Sequence, residues 1–294
     1  MTKKRRKTAK ETIQTAQHNG TLYVVATPIG NLEDITLRAL RILKEVDIIA
    51  AEDTRHTRKL LNHFDISTST LSYYKEKEQE RSAVIIDRLR EGQNVALVSD
   101  AGTPGIFDPG SILVQNAVAE NIRVEPIPGP SALTAALSVA GIHDSSFVFL
   151  GFAPSRKKQR QDFLHSIIRE KRQLVFYEAP HRIQSFLQDC LTILGDRQLI
   201  WCRELTKIHE EITRDNISST LSGVADRKAK GESVLIIAGA ADEPAISDKD
   251  IKELLMSYKK SGTLSLKDSV KIITREHNLS RSAVYSKALK IWKE

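Results

Sequence analysis

Two hydrophobic periods alternate along the chain. Leu22-Tyr23-Val24-Val25-Ala26, the run ending Asp47-Ile48-Ile49-Ala50-Ala51, and Val95-Ala96-Leu97-Val98 are almost unbroken apolar runs, which predict strands covered on both faces. Between them lie stretches apolar at every third or fourth position, such as Ile35, Ala39, Leu43 and Val46 on a helix opening at Leu32, and the small-residue helix Ala132 to Ala140. Strand-then-helix alternation over 21–143 predicts a parallel sheet. Beyond a polar break at His143-Asp144-Ser145-Ser146, further runs come at Phe147–Phe152, Leu174–Tyr177, Leu199–Cys202 and Val234–Ala238. Ile208, Glu210 and Ile212 alternate with other residues, predicting a strand with unlike faces over Ile208–Thr213 and hence a mixed sheet in a second half, 144–240. The last stretch, 247–294, returns to the helical period. Ser247-x-x-Asp250 and Ser265-x-x-Asp268 read as caps. Leu266, Val270 and Ile273 share a face, and Ser280 opens a helix through Ala283, Val284, Ala288 and Ile291, so the pair has the form of a helix-turn-helix or of an ordinary helical hairpin. Residues 1–20 have no apolar period and are expected to be disordered. The fold class is therefore α/β, in two halves with a helical appendage.

The loops that leave these strands are more informative than the strands themselves. Thr27-Pro28-Ile29-Gly30-Asn31, Glu52-Asp53-Thr54-Arg55-His56-Thr57 and the long Ser99-Asp100-Ala101-Gly102-Thr103-Pro104-Gly105-Ile106-Phe107-Asp108-Pro109-Gly110 each come just after a predicted strand, and Pro126-Ile127-Pro128-Gly129-Pro130-Ser131-Ala132 follows the short run Arg123-Val124-Glu125. In open α/β sheets ligands bind outside the carboxyl ends of the strands, so a parallel sheet brings these four loops to one edge and one pocket. Glycine and proline keep that backbone bare and stiff, letting a ligand reach main-chain groups. A plain turn explains each loop taken singly, with Pro109 opening the next helix.

Charge divides the chain. The net charge is +7, yet the first eleven residues alone hold six basic side chains against one acid, and Asp248 to Glu294 hold eleven against six. The intervening stretch is slightly acidic, so a polyanion held by appendages suits the distribution, as does a solvated tail and helix surface. No apolar run approaches the roughly 20 residues of a membrane span, and the polar, basic start is not a secretory signal. Cys190 and Cys202 have no metal or redox spacing, which fits a reducing cytoplasm. G-x-x-x-x-G-K-[ST], G-x-G-x-x-G after the first strand and H-E-x-x-H are all missing, and His209-Glu210-Glu211 has no second histidine at helical spacing. A neutral-to-acidic pocket built from backbone groups remains, suited to a zwitterionic, cationic ligand.

Thr27–Asn31, Ala51-Glu52-Asp53-Thr54-Arg55, Ser99–Pro104, Asp108-Pro109-Gly110 and Pro128-Gly129-Pro130 resemble, in this order, the tetrapyrrole-methylase superfamily, and within it the branch acting on ribosomal RNA. Phe176-Tyr177-Glu178-Ala179-Pro180-His181-Arg182 and Arg203-Glu204-Leu205-Thr206-Lys207 agree with that branch. The resemblance implies a two-lobed tetrapyrrole-methylase-like fold. It implies S-adenosylmethionine as methyl donor with no metal, the ribose 2′-hydroxyl of a cytidine in the decoding region of small-subunit ribosomal RNA as acceptor, a cytoplasmic homodimer, and no membrane partner. Pro28, Asp100, Gly102, Thr103, Ile106, Pro128, Gly129, Ser131, Ala132 and Tyr177 are then expected to hold the donor, with residues near Tyr177 and Ile237 closing the cleft. A hydroxyl acceptor wants a base. Glu178 is preferred among Glu52, Asp53, His56, Glu178, His181, Glu204 and Lys207, with Glu52 and Lys207 next, although capping and ion pairing are ordinary roles for such residues. Arg55, Arg182, Arg203 and Lys207, together with Arg281, Lys287 and Lys290 of the helical module, are expected to contact RNA. Two other readings stay open: a superfamily methyltransferase acting on a tetrapyrrole or protein side chain, and a non-enzymatic helix-turn-helix regulator with an α/β ligand sensor.

Overall fold

The computed structural model describes residues 19–142, 146–225, 231–241, 247–262, 264–277 and 279–293. Of the basic tail only Asn19 and Gly20 fall among these, and His143–Ser145 of the polar break lie outside them. Two compact units divide the chain, Met1–Ala238 and Gly239–Glu294.

The first sheet comprises β1 (Thr21–Val25), β2 (Ile48–Ala51), β3 (Thr70–Ser72), β4 (Val95–Val98) and β5 (Arg123–Ile127) in the order β3-β2-β4-β1-β5, every pairing parallel. Its inner strands are covered on both faces, as their uninterrupted apolar character requires. On one side α1 (Leu37–Glu45) and α2 (Thr54–His63) bury Leu43 and Leu61 with Val25, Ile49 and Val98; on the other α3 (Glu78–Arg90) and α4 (Ser111–Ala119) bury Ile85 and Leu113 with Leu22, Ala50 and Leu97. The helices after β1 and β4, neighbouring strands, thus depart to opposite faces. The strand order reverses there and opens a crevice at the carboxyl ends.

The second sheet contains β6 (Phe147–Phe152), β7 (Gln173–Glu178), β8 (Gln198–Arg203), β9 (Glu211–Asn216) and β10 (Ser233–Ile237), ordered β6-β7-β10-β8-β9. β6 and β7 run parallel, while β10 is antiparallel to both its neighbours and β9 antiparallel to β8, so the sheet is mixed. Along β7, β8 and β10 side chains alternate between its faces. Leu174, Phe176, Leu199, Trp201, Leu235 and Ile237 pack beneath α6 (Lys157–Ser166), α7 (Ile183–Leu194) and α8 (Ile217–Ala225). Val175, Cys202, Val234 and Ile236 face α5 (Ala132–Ala140), whose Ala136 and Ala140 are small enough to let the helix lie close on the second sheet.

Three local expectations are corrected. The helix expected from Leu32 is an isolated 3₁₀ turn, Leu32–Asp34; α1 begins only at Leu37, because the Thr36 hydroxyl accepts the Ala39 amide at 3.1 Å and sets the cap there. α4 does not open at Pro109 but after Gly110, the N-cap residue, at φ 140°, where a Cβ would meet Leu97 Cδ2 at 2.8 Å. β9 starts at Glu211 rather than Ile208. The Lys207 amide donates to the Glu204 carbonyl at 3.0 Å and the Glu210 amide to the Lys207 carbonyl at 3.1 Å, so Ile208 rides a tight turn fully in solvent.

In the second unit α9 (Asp248–Ser261), α10 (Leu266–Glu276) and α11 (Arg281–Lys293) surround a core of Ile251, Leu255, Val270, Ile273, Val284, Ala288 and Ile291. Ser247 and Asp250 form a reciprocal capping box, and the Ser265 hydroxyl accepts the Asp268 amide at 3.2 Å. Ala283 is exposed on α11 rather than turned into that core.

Candidate active site

The carboxyl ends of the first sheet converge as parallel topology demands. The Thr27 and Gly102 amides each donate to the other's carbonyl at 2.9 Å, locking the β1 loop to the β4 loop. Gly102 takes φ 77°, open to glycine at little cost. The Thr27 hydroxyl donates to the Ser99 carbonyl at 3.1 Å, and the Asp53 amide to Asp100 Oδ1 at 3.1 Å. The second sheet meets this edge with an end of mixed polarity. Pairing of Ser233 with both Glu178 and Arg203, and of Arg203 with Glu211, brings the carboxyl ends of β7 and β8 level with the amino ends of β9 and β10. A cavity of about 540 Å³ lies between the two edges, reached by residues of all four loops, three of which carry glycine and proline.

Of the residues expected to hold the donor, Asp100, Gly102, Thr103, Ile106, Ser131, Ala132 and Tyr177 line this cavity, whereas Pro28, Pro128 and Gly129 do not. Pro28 is buried behind it, and Pro128 and Gly129 face solvent. Gly129 shapes the loop: a Cβ there would stand 3.0 Å from Ala26 Cβ. Ile237 sits at the far end of β10 from Ser233 and packs into the helix-covered core, so it is not a closing residue. Tyr177 bridges the halves, its hydroxyl accepting the Leu133 amide at 3.1 Å near the start of α5.

The lining is acidic. Glu52 is raised above the ordinary carboxylate range by burial, although its Oε2 accepts the Asp100 amide at 3.3 Å. Asp108 is pushed up to about 6, first by burial and then by the neighbouring Glu52 charge. Glu178, only 1% exposed, is also raised by burial. Its Oε1 accepts the Ala179 amide at 2.9 Å and lies 3.2 Å from Arg182 Nε, while Oε2 has no protein partner among the described residues. A buried carboxylate with one oxygen fixed and the other unpaired has the chemistry to accept a proton from a group brought against it.

Lys207 lines the same cavity but cannot share that role. Burial alone lowers an ammonium pKa, yet a 2.8 Å hydrogen bond to Glu204 Oε1 and the Glu232 carboxylate 3.5 Å away carry Lys207 above the ordinary lysine value, so it stays a cation. His181 and Glu204 also line the cavity; Glu204 is held down by Lys207 and remains ionised. Asp53 caps α2 through the Arg55 amide at 2.8 Å, and neither it nor the exposed His56 lines the cavity.

The expected RNA-contacting residues separate into free and engaged groups. Arg182 is engaged, with Glu178 and with the carbonyls of Ala153 and Pro154. Arg203 pairs with Glu211 at 2.6 Å and lies over Trp201, and Lys287 pairs with Asp248. A phosphate that reached any of these three would compete with an intramolecular partner. Arg55 pairs with Asp53 at 2.9 Å but keeps its side chain 89% exposed, and Arg281 and Lys290 are exposed as well. Sequence reasoning missed Asp108 and Phe107 as site residues, although both lie inside the glycine-rich loop, and missed Phe152, Glu232, Ser233 and Val234 altogether. Only antiparallel pairing brings the start of β10 to this edge. Among the described residues no group of histidine, cysteine, aspartate or glutamate side chains is placed to hold a metal, and no helix is long and apolar enough to cross a membrane.

Glycine-bridged loops at a topological switch, facing a mixed second sheet across an acidic cavity, define the class. The sequence profile of the Tetrapyrrole (Corrin/Porphyrin) Methylases matches residues 21–220, and the chain belongs to that family. A uroporphyrin-III C-methyl transferase from Thermus thermophilus, complexed with S-adenyl homocysteine, shares the fold with a TM-score of 0.54 over 74% of this chain and 97% of its own at 20% identity. A Ribosomal RNA small subunit methyltransferase I from Halalkalibacterium halodurans is 49% identical over 79% of this chain and 81% of its own. One of the same name from Synechocystis is 44% identical over 92% and 98%. The chain falls within this ribosomal RNA small subunit methyltransferase I branch of the family.

Proposed function

We propose that the protein transfers the methyl group of S-adenosylmethionine to the 2′-hydroxyl of a cytidine in the decoding region of small-subunit ribosomal RNA. The names of the relatives support the RNA substrate, and the motif resemblance supports the cytidine and the ribose oxygen. The observation that carries the chemistry is Glu178, a buried carboxylate with one oxygen unpaired among the described residues, in the wall of a cavity also lined by Glu52, Asp100 and Asp108.

The residues present fit the donor. Bare backbone at Gly102 and Ala132, apolar Ile106 and the acidic side chains together suit an adenosyl sulfonium zwitterion. That group supplies an electrophilic methyl on a positively charged sulfur. Asp100 and Thr103 orient it, while Glu52 and Asp108 oppose its charge. Glu178 Oε2 takes the proton of the attacking hydroxyl, and Arg182 and the Ala179 amide hold the carboxylate in place. Lys207, a fixed cation in the cavity wall, attracts the RNA phosphates, as do Arg55 on α2 and, in the separate helical unit, Arg281 and Lys290. Transfer disperses charge, so alignment in a confined site supplies much of the rate. A homodimer belongs to this reading, checked by light scattering.

The test is incubation of the protein with labelled S-adenosylmethionine and unmodified small-subunit ribosomal RNA, followed by alkaline hydrolysis. Alkali cleaves through the free 2′-hydroxyl, so the expected product is one labelled, alkali-resistant dinucleotide with cytidine on its 5′ side. Label on a mononucleotide would mean base methylation and defeat the ribose assignment; binding without turnover would favour the ligand-sensing regulator.

A further inference from the structure

A chain of four aromatic rings runs from the glycine-rich loop onto the second sheet. Phe107 meets Phe149 edge-on at 5.1 Å between centroids, Phe149 meets Tyr177 at 4.9 Å, and Tyr177 meets Phe152 at 5.8 Å. The inner two rings are partly covered, but the outer two are open: Phe107 is 53% and Phe152 49% exposed, although both line the cavity. Three features of the backbone hold Phe107 there. Its φ is 67°, a region that bulky side chains rarely adopt. Gly151 has φ 59° beside the irregularity that breaks the register of β6 with β7 between Phe149 and Gly151. The Phe107 ring fills the space a side chain at that position would take, since an ideal Cβ on Gly151 would come within 1.8 Å of Phe107 Cε1. Bulges of this kind re-aim side chains beside active sites.

An acceptor ribose that reaches a cavity must leave its helical stack and bring its base with it. An unstacked base regains that energy on an aromatic face, the usual device for single-stranded RNA. Glu178 is deeply buried and the two rings stand at the mouth, an order that suits hydroxyl inside and base outside. We infer that Phe107 and Phe152 are the stacking faces that hold the unpaired base of the acceptor nucleotide at the cavity mouth. The inference rests on the RNA-methylation reading and adds the residues that position its substrate. Stacking is tolerant of base identity, so the rings set where the nucleotide sits and leave the choice of base to other contacts.

The experiment compares the wild-type protein with Phe107→Leu, Phe152→Leu and the two ring-retaining variants Phe107→Tyr and Phe152→Tyr. Methyl transfer to unmodified small-subunit ribosomal RNA is followed at saturating S-adenosylmethionine, and donor affinity is measured by calorimetry. Each leucine variant is expected to raise KM for RNA about 5- to 150-fold, the range that removing one base–aromatic stack carries. Donor affinity should stay unchanged and the tyrosine variants should keep KM within about 3-fold of wild type, well inside that range. Unaltered KM in both leucine variants, or tyrosine variants as impaired as the leucines, overturns the stacking role. A parallel fall in donor affinity assigns the rings to the donor and overturns it too. Absence of wild-type turnover sinks the methylation reading and the inference with it, whereas wild-type turnover with insensitive variants sinks the inference alone.

Discussion

Glu178 illustrates how one residue acquires chemistry from its surroundings. On the sequence it is a carboxylate before Ala179-Pro180; in the fold it is the last residue of β7, sealed from solvent and fastened by one oxygen. Replacing it with glutamine keeps shape and hydrogen bonding but removes the proposed proton acceptor. Glu178→Gln should lower kcat for methyl transfer about 10²–10⁴-fold, with donor affinity measured by calorimetry unchanged. Asp108 makes a separate prediction. With its carboxyl pushed up to about 6, it is largely neutral in mild acid and charged above neutrality. A cationic donor favours the charged form, so donor affinity should strengthen as pH rises from about 5 to about 7, and Asp108→Asn should flatten that step. Affinity that weakens over the same interval would contradict the charge pairing.

At the scale of elements, the pattern of apolar residues marked β4 and α5 to the residue, because a wholly buried strand and a helix of small residues leave unmistakable periods. It misplaced the starts of α1, α4 and β9, where a cap, a close backbone approach or a turn outweighed hydrophobic period. Gly110 shows the physical cause. Its φ of 140° and the nearness of Leu97 belong to the packing of α4 on β4, which no local pattern records. Gly110→Ala should therefore destabilise the protein by about 1–3 kcal/mol, read from thermal or denaturant unfolding. A variant as stable as wild type would show that the loop relaxes freely.

For the whole molecule, the uneven charge is the ground for proposing that the helical unit grips RNA. Arg281 and Lys290 are exposed on α11, while Lys287 is paired with Asp248. Ending the chain before Ser247 should weaken RNA binding and reduce the slope of log affinity against log salt by about 0.7–0.9 for each phosphate no longer neutralised. Donor binding should be untouched, and an unchanged slope would remove the unit from the RNA interface. Most strands, α5 and the helices of the C-terminal unit, the four loops after the strands of the first sheet and the basic ends were legible in residue order alone, because burial and turn chemistry are written in local residue types. Packing in three dimensions was needed to establish which charges are free and which are paired, that the amino end of β10 completes the cavity, and that Gly151 makes room for the Phe107 ring. Those outcomes depend on contacts between segments far apart in the chain, and such contacts leave no local period to read.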